Sequence, residues 1–182
     1  MINVFGEEKW KQIVRFGIQL PQYYCNKQSE VYSTKSNKIL KSTMKYDSND
    51  GSSRLSYLKY EFDVPETLFP DYRYRKKANR KNSNSVTLSI PAHRIVAETW
   101  MPIDLNPPDV LKQDWCEIIT PEMVGQPRMT ETVRQWVRDT ALVDHVDDDP
   151  TNNNLDNLRW ATPKQNSNHR KKRNYEILED PS

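Results

Sequence analysis

The stretch from Val143 to Asn166, which reads VDHVDDDPTNNNLDNLRWATPKQN, constrains the fold of this chain more than any other. Residues 141–146 and 158–161 are two short apolar runs of the length expected for β-strands. Residues 147–154, between them, are rich in Asp and Asn, a composition typical of a turn or a longer loop. The order predicts two paired strands joined by a polar loop.

A helix is predicted directly after the second strand. Thr162 is a suitable N-cap, Pro163 suits the first helical position, and Gln165 completes a capping box. The helix should run over residues 163–173 and should carry Asn166 in its first turns. Strand, loop, strand and helix are therefore expected within one short unit.

The side chains in this unit suit metal-assisted phosphodiester hydrolysis. A hard divalent ion such as Mg²⁺ takes oxygen ligands and keeps several waters, so one carboxylate and one amide are sufficient from the protein. Asp144 and Asn166 meet that requirement, and the scissile phosphate would complete the shell. Histidine titrates near neutral pH, which makes His145 the natural general base for the attacking water.

The unit resembles the HNH nuclease motif, and with it the ββα-metal arrangement. The resemblance implies that Asp144 replaces the first histidine of the motif and that Asn157 is its central asparagine, which ties the loop together and holds His145. Asp147-Asp148 stands where the family usually has Asp-Gly, and Asp can also enter the left-handed region that this turn needs. The chain is thus expected to be an HNH endonuclease with one Mg²⁺ or Mn²⁺ ion per active site.

Charge is unevenly distributed along the chain, although the formal net charge is only +2. Residues 1–100 carry 17 basic and 10 acidic side chains, whereas residues 101–158 carry 4 and 12. Residues 159–173 carry six basic side chains and no acidic one. Two basic regions around an acidic centre suit a protein that holds phosphates at its edges and a cation between them. Together with the HNH resemblance, this predicts double-stranded DNA as the partner.

The N-terminal part is expected to form a small antiparallel β unit. Residues 10–41 alternate short β-type runs with Asn, Ser and Lys turns, and residues 55–62 alternate as a further strand. The segment YYCNKQSEVYSTKSNKILK resembles a modular DNA-binding element found beside phage HNH nucleases; a solvated hairpin is the alternative. The expected core contributors of this unit are Trp10, Tyr23, Tyr24, Val31 and Tyr32.

Residues 71–81, DYRYRKKANRK, interleave tyrosines with basic side chains. Basic groups contact phosphates, and aromatic rings can lie on sugars or bases. The pattern favours a DNA-facing loop that orders on binding, with a flexible solvated loop as the alternative. The predicted DNA contacts here are Arg73, Arg75, Lys76, Lys77, Arg80 and Lys81.

A strand at residues 85–90 and a helix after Pro91 are predicted next. Apolar spacing places His93 on a core-facing stripe, which favours a partly buried structural histidine. A phosphate contact by His93 or Arg94 near the helix N-terminus is the alternative. The sequence HRIVAETW also resembles the HRLVA-type helix that precedes the nuclease motif in phage intron-encoded HNH homing endonucleases.

Residues 101–140 form an acidic, proline-rich insertion that departs from that family. A helix is predicted at residues 130–139, with an apolar face made by Val133, Trp136 and Val137. An acidic segment is unsuited to face DNA, so we expect a packing or partner-binding role.

Further phosphate contacts are expected around the C-terminal helix. His169, Arg170 and Arg173 share one helical face with Asn166, and Arg159 lies on the return strand. His169 is either a third metal ligand, a phosphate donor or a solvated side chain, and the basic run is either a phosphate grip or a solvated tail.

The expected class is α+β, with an N-terminal antiparallel β unit and a C-terminal ββα-metal motif that carries an inserted helical segment. We predict an N-terminal DNA-binding region at residues 1–85, a nuclease domain at 86–175 and a disordered tail at 176–182. A lone ββα unit cuts one phosphodiester at a time, so a monomer should nick and a homodimer could break both strands.

Two other functions were weighed against the nuclease. A calcium-binding EF-hand starting at Asp147 would place Asn152 where glycine is needed and Leu158 where the bidentate glutamate belongs, so this reading fails. A DNA-binding regulator without catalysis stays open, although a binding scaffold has no need for Asp144, His145 and Asn166 together.

The remaining features predict a cytoplasmic protein with no membrane partner. No apolar run approaches the roughly 18–20 residues of a membrane helix, and the N-terminal residues do not resemble a signal peptide. Cys25 and Cys116 lie far apart and are expected to be buried thiols in a reducing compartment. The resemblance implies a phage-infected bacterial host.

Overall fold

The computed structural model describes residues 9–47, 54–70, 84–119 and 131–169. Over these residues the chain combines three antiparallel sheets with helices, so the predicted α+β class is confirmed. Among the described helices, none has the length and apolar character that a membrane crossing requires.

The first sheet contains four antiparallel strands in the order β1-β2-β3-β4, as expected for the N-terminal unit. Tyr23 and Val31 are buried in it, while the other three predicted core residues, Trp10, Tyr24 and Tyr32, are only half-buried. A tight turn at Phe16 and Gly17, both with positive φ, joins the first two strands. The strands are β1 (Lys11–Arg15), β2 (Ile18–Cys25), β3 (Val31–Ser33) and β4 (Lys38–Ile39).

The second sheet contains β5 (Thr43–Asp47), β6 (Arg54–Pro65) and β7 (Ser85–Pro91). Alternate residues of β6 are buried, as the alternating sequence predicts. The predicted boundary after residue 85 falls at the start of β7, which pairs with β6 over its whole length. The two predicted regions therefore share one sheet.

Helix α1 (Ala92–Trp100) joins the two parts of the core. The third sheet pairs the strands Leu142–His145 and Leu158–Ala161. Ala92 and Ile95 of α1 belong to the cluster formed with the first two sheets, whereas Val96 and Ala97 belong to the cluster around the third sheet. Cys25 is a buried free thiol; the side chain of Cys116 lies outside the described residues.

Polar contacts reinforce this central position of α1. Glu98 pairs with Arg15 of β1, and Arg94 donates a 2.7 Å hydrogen bond to the carbonyl oxygen of Ala141. The N-terminal sheet and the C-terminal unit are thus held to the same helix.

The acidic insertion contains α2 (Lys112–Ile119) and α3 (Glu131–Thr140). Trp115 and Val137 are buried against α1 and the third sheet, which agrees with a packing role. The prediction of a three-residue apolar face on α3 was wrong, because Trp136 is 62% exposed and Val133 is 41% exposed. Helical spacing predicts that the three side chains lie near one side of the helix, but of the three only Val137 is buried.

Candidate active site

The C-terminal unit folds as strand, loop, strand and helix. Strands β8 (Leu142–His145) and β9 (Leu158–Ala161) pair antiparallel in regular register, with Asp144 opposite Arg159 and His145 opposite Leu158. A helix over residues 163–169, α4, follows directly.

The start of α4 has the predicted capping box. The Thr162 hydroxyl accepts a hydrogen bond from the backbone N–H of Gln165 at 3.2 Å, and the Thr162 backbone N–H donates to the Gln165 side-chain oxygen at 2.9 Å. This reciprocal pair satisfies two amides that a helix start otherwise leaves without partners. It fixes the direction in which α4 leaves β9, and with it the position of Asn166.

The loop between the strands is organised by Asn157. Its side-chain oxygen accepts a hydrogen bond from the backbone N–H of Asp147 at 3.0 Å. Its side-chain NH₂ group donates two hydrogen bonds of 2.8 Å, one to the carbonyl oxygen of Asn152 and one to a carboxylate oxygen of Asp147. Asp148 has φ 64°, the left-handed conformation that glycine would otherwise supply. A single amide side chain therefore closes the loop at both ends.

Hydrogen bonds inside the loop also set its charge. The amide of Asn152 donates to Asp147, and this contact, with the backbone N–H of Asp149, holds the pKa of the Asp147 carboxyl below its usual range. Contacts from the hydroxyl and backbone N–H of Thr151 lower the pKa of Asp149 in the same way. These two carboxyls therefore keep their negative charge to a lower pH than an ordinary aspartate does.

His145 lies at the end of β8 and is only 6% exposed. Its Nε2 is 3.1 Å from the side-chain oxygen of Asn153, which is itself 3% exposed. The amide nitrogen of Asn153 donates to the Thr151 carbonyl at 3.0 Å, so the oxygen must face the imidazole. The Nε2 of neutral His145 then carries the proton, and Nδ1 has the lone pair that can accept one.

Asp144 is 8% exposed and pairs with Arg159, whose Nε and Nη2 lie 3.0 and 2.7 Å from Oδ2. Nδ1 of His169 lies 3.5 Å from the same oxygen and 3.5 Å from Oδ1 of Asp148. The described contacts of the Asp144 carboxylate therefore fall on Oδ2. Helical spacing predicted that His169 shares a face of the helix with Asn166. The structure places its imidazole beside the carboxylates of Asp144 and Asp148.

Asp144 and Asn166 have the donor types that a hard divalent cation prefers. Asp144 supplies a carboxylate that is nearly buried, and Asn166 supplies a half-buried amide on the first turns of α4. In the portion of the chain that the structure describes, no three His, Cys, Asp or Glu side chains form a metal cluster. A site of one carboxylate and one amide does not need such a cluster, since Mg²⁺ keeps several of its waters.

The structure describes three of the residues predicted to contact DNA, namely His169, whose contacts are given above, Arg94 and Arg159. Arg94 is engaged inside the fold, with the Ala141 carbonyl, with Glu98 at 3.7 Å and with its guanidinium 5.4 Å from the Trp160 ring centroid. Arg159 is engaged with Asp144. The remaining predicted basic contacts lie outside the described residues: Arg73, Arg75, Lys76, Lys77, Arg80, Lys81, Arg170 and Arg173.

Sequence reasoning missed two residues that contact His145. The resemblance assigned the support of His145 to Asn157, whereas Asn153 makes the ring hydrogen bond. Three consecutive asparagines precede Asn157 in sequence, and nothing in that run distinguishes the buried one. The second residue is Tyr57 of β6. It lies 88 positions before His145 in the sequence, so no local pattern indicates that the two rings meet.

Comparison with known proteins found a family model and a solved structure that are similar to this chain. Residues 138–168 match a family model described as HNH endonuclease. No curated protein matches the chain. A solved structure described as "DNA binding and cleavage by the HNH homing endonuclease I-HmuI" is similar at 22% sequence identity and a TM-score of 0.47. The similarity covers 91% of this chain, which spans only 59% of the other chain.

Proposed function

We propose that this chain is an HNH endonuclease that hydrolyses phosphodiester bonds of double-stranded DNA with His145 as the general base, because residues 138–168 match a family model described as HNH endonuclease. The observation that supports this most directly is the hydrogen bond from Nε2 of His145 to Asn153. It leaves Nδ1 as the proton acceptor on an imidazole that is otherwise nearly buried. A side chain held in one tautomer and orientation is what general base catalysis requires.

We propose that Asp144 and Asn166 hold one Mg²⁺ or Mn²⁺ ion, because a carboxylate and an amide oxygen are the ligands such ions prefer. When bound, the ion would neutralise charge that grows on the scissile phosphate. His145 takes the proton of the attacking water, and Asn153 keeps its ring in place. Asn157 acts on the same residue indirectly, by closing the loop that contains Asn153.

DNA binding is proposed to involve several basic groups around this unit. His169, beside Asp144 and Asp148, is suited to be either a third ligand or a phosphate donor. Arg159 could turn from Asp144 to a phosphate once a cation neutralises the carboxylate, whereas Arg94 would have to leave three internal contacts. The predicted contacts in residues 71–81, together with Arg170 and Arg173, complete this proposal.

The test is cleavage of supercoiled plasmid by purified protein with Mg²⁺, with Mn²⁺ and with chelator. We expect cleavage that requires metal, and a loss of about 10²- to 10⁴-fold in rate for His145→Ala. Gln135→Ala, on the exposed face of α3, is a matched control that should cut at the wild-type rate. Equal DNA binding with no metal-dependent cut in the wild type would instead support a non-catalytic DNA-binding regulator on the same scaffold.

The product also tests the proposed number of sites. One unit cuts one strand, so a monomer converts supercoiled plasmid to open circles, and a homodimer would give linear product. Sedimentation with and without DNA distinguishes the two states. The homing role, a phage-infected bacterial host and a cytoplasmic location belong to the same proposal and follow from the resemblance.

A further inference from the structure

Three rings from three separate elements meet at the proposed active site. Tyr57 comes from β6, His93 from α1 and His145 from β8. The Tyr57 and His145 rings are stacked, with centroids 5.9 Å apart and planes 12° from parallel. His93 meets both rings edge-on, 4.4 Å from Tyr57 and 5.3 Å from His145. We refer to these three residues as the ring cluster.

The ring cluster restricts how the His145 imidazole can turn. Tyr57 covers one face of the ring, His93 contacts it at a steep angle of 79°, and Asn153 holds Nε2. A half-turn about the Cβ–Cγ bond would break the hydrogen bond to Asn153, and a smaller rotation would tilt the ring away from Tyr57. Offset-parallel and edge-to-face contacts are the favourable geometries for such rings. The orientation of the imidazole is therefore defined from three sides.

His93 contributes to this arrangement as a neutral group. It is 7% exposed, and burial lowers its pKa to about 3, with smaller effects from His145, Arg94 and Arg15. Its Nδ1 is buried without a hydrogen-bond partner among the described residues. An uncharged neighbour does not oppose a proton that arrives on His145, whereas a charged one 5.3 Å away would.

Tyr57 is the unexpected member, because it belongs to the sheet that sequence analysis assigned to DNA binding. It is 37% exposed, so part of the ring borders solvent while one face lies on His145. The second sheet thus contacts the proposed general base through the ring of Tyr57.

We propose that Tyr57 is a positioning residue for His145, so that the second sheet completes the nuclease site. This inference rests on the proposed function of His145. Tyr57 acts through the stacked face of its ring and not through its hydroxyl, and His93 supports both rings from the edge. Residues 138–168 alone would then hold the catalytic side chains but not the surface that orients the base.

The test compares Tyr57→Leu, which removes the ring, with Tyr57→Phe, which keeps it. DNA affinity is measured in chelator, and the single-turnover cleavage rate is measured at saturating DNA with Mg²⁺. We expect Tyr57→Leu to cut about 10- to 100-fold more slowly with unchanged DNA affinity, since small misplacements of a reacting group cost that much. Tyr57→Phe should cut within about twofold of the wild type, because stacking needs only the ring. Tyr24→Leu, on the first sheet, is the control for loss of a half-buried tyrosine.

A readout that does not depend on cleavage completes the test. The carbon-bound ring proton of His145, observed by NMR, should shift in Tyr57→Leu and keep its wild-type position in Tyr57→Phe and Tyr24→Leu. An unshifted signal in Tyr57→Leu overturns the proposal. So does a Tyr57→Leu variant that binds DNA more weakly but cuts at the wild-type rate when saturated, which would make Tyr57 a DNA contact.

The two proposals fail in different ways. A wild-type protein that cuts no DNA with any divalent metal refutes the endonuclease function. The contact between Tyr57 and His145 is then judged by the NMR signal alone, and a shift confined to Tyr57→Leu supports it. Wild-type cleavage that is equally fast in Tyr57→Leu refutes only the positioning role.

Discussion

The guanidinium of Arg159 lies against the carboxylate of Asp144, with Nε and Nη2 at 3.0 and 2.7 Å from Oδ2. The two residues face each other across β8 and β9, so the regular register of the hairpin creates the pair. Asp144 is the carboxylate that we propose as a metal ligand. Arg159 is therefore a counter-ion of the same carboxylate that we propose binds the cation.

Arg159→Met should raise the affinity of the protein for Mn²⁺, because the cation no longer shares the carboxylate with a guanidinium. We expect a gain of about tenfold, equivalent to about 1.4 kcal/mol, measured by titration calorimetry without DNA. The metal-free variant should be less stable by about 1–3 kcal/mol, since a nearly buried carboxylate loses its partner. Mn²⁺ should restore that loss.

The control is Arg138→Met, which breaks an ion pair with Asp104 at 2.8 Å in the inserted segment. It should leave Mn²⁺ affinity at the wild-type value. An Arg159→Met protein whose Mn²⁺ affinity is unchanged or reduced would show that Asp144 and the cation do not meet.

Asn153→Leu should slow DNA cleavage at saturation without weakening DNA binding. Leucine has a similar size but cannot accept the Nε2–H of His145, so the imidazole loses the contact that selects its tautomer. Loss of one such hydrogen bond costs about 1–3 kcal/mol, which corresponds to roughly 10- to 100-fold in rate. Single-turnover kinetics measure it. The neighbouring Asn154→Leu removes one exposed side-chain hydrogen bond to Asn152 and should retain the wild-type rate. Equal losses in both variants would rule out a specific role for Asn153.

Asn157→Ala should open the loop, because three hydrogen bonds to Asp147 and Asn152 depend on one side chain. We expect a loss of about 1–3 kcal/mol in the free energy of unfolding, measured by urea denaturation. Hydrogen exchange should accelerate first at the Asp147 amide, which donates to Asn157. If Asn154→Ala lowered the free energy of unfolding by the same amount, Asn157 would not be the residue that holds the loop together.

The elements of the C-terminal unit could be predicted from sequence because their signals are local. The capping box joins residues three apart, and the left-handed turn at Asp148 follows from the few residue types that tolerate it. Strand β7 and helix α1 were predicted for the same reason, from alternation and from helical spacing.

The contacts across elements could not be predicted in this way. The stack of Tyr57 on His145 joins residues 88 positions apart, and no periodicity specifies which strands of different sheets meet. The exposure of Trp136 has a similar origin, because amphipathic spacing identifies an apolar side but not the width of the core that receives it. The engagement of Arg94 with Ala141 likewise depends on tertiary packing.

Protonation of His93 should make the protein less stable as the pH falls below about 6.5. Burial holds the folded-state pKa of His93 at about 3, whereas in the unfolded chain it stays near the usual 6.5. Between those values the unfolded state binds a proton that the folded state does not. The free energy of unfolding should therefore fall by at most about 1.4 kcal/mol per pH unit from this residue, and this decrease should end below about pH 3.

The variant His93→Phe keeps a ring at the same place in the ring cluster and cannot titrate. Urea denaturation of both proteins from pH 7 to pH 4 isolates the contribution of His93, since the titrating carboxylates are common to both. The wild type should lose more stability than His93→Phe as the pH decreases, and the gap should widen steadily below pH 6.5. Parallel curves over this range would mean that His93 accepts a proton in the folded protein as readily as in the unfolded chain.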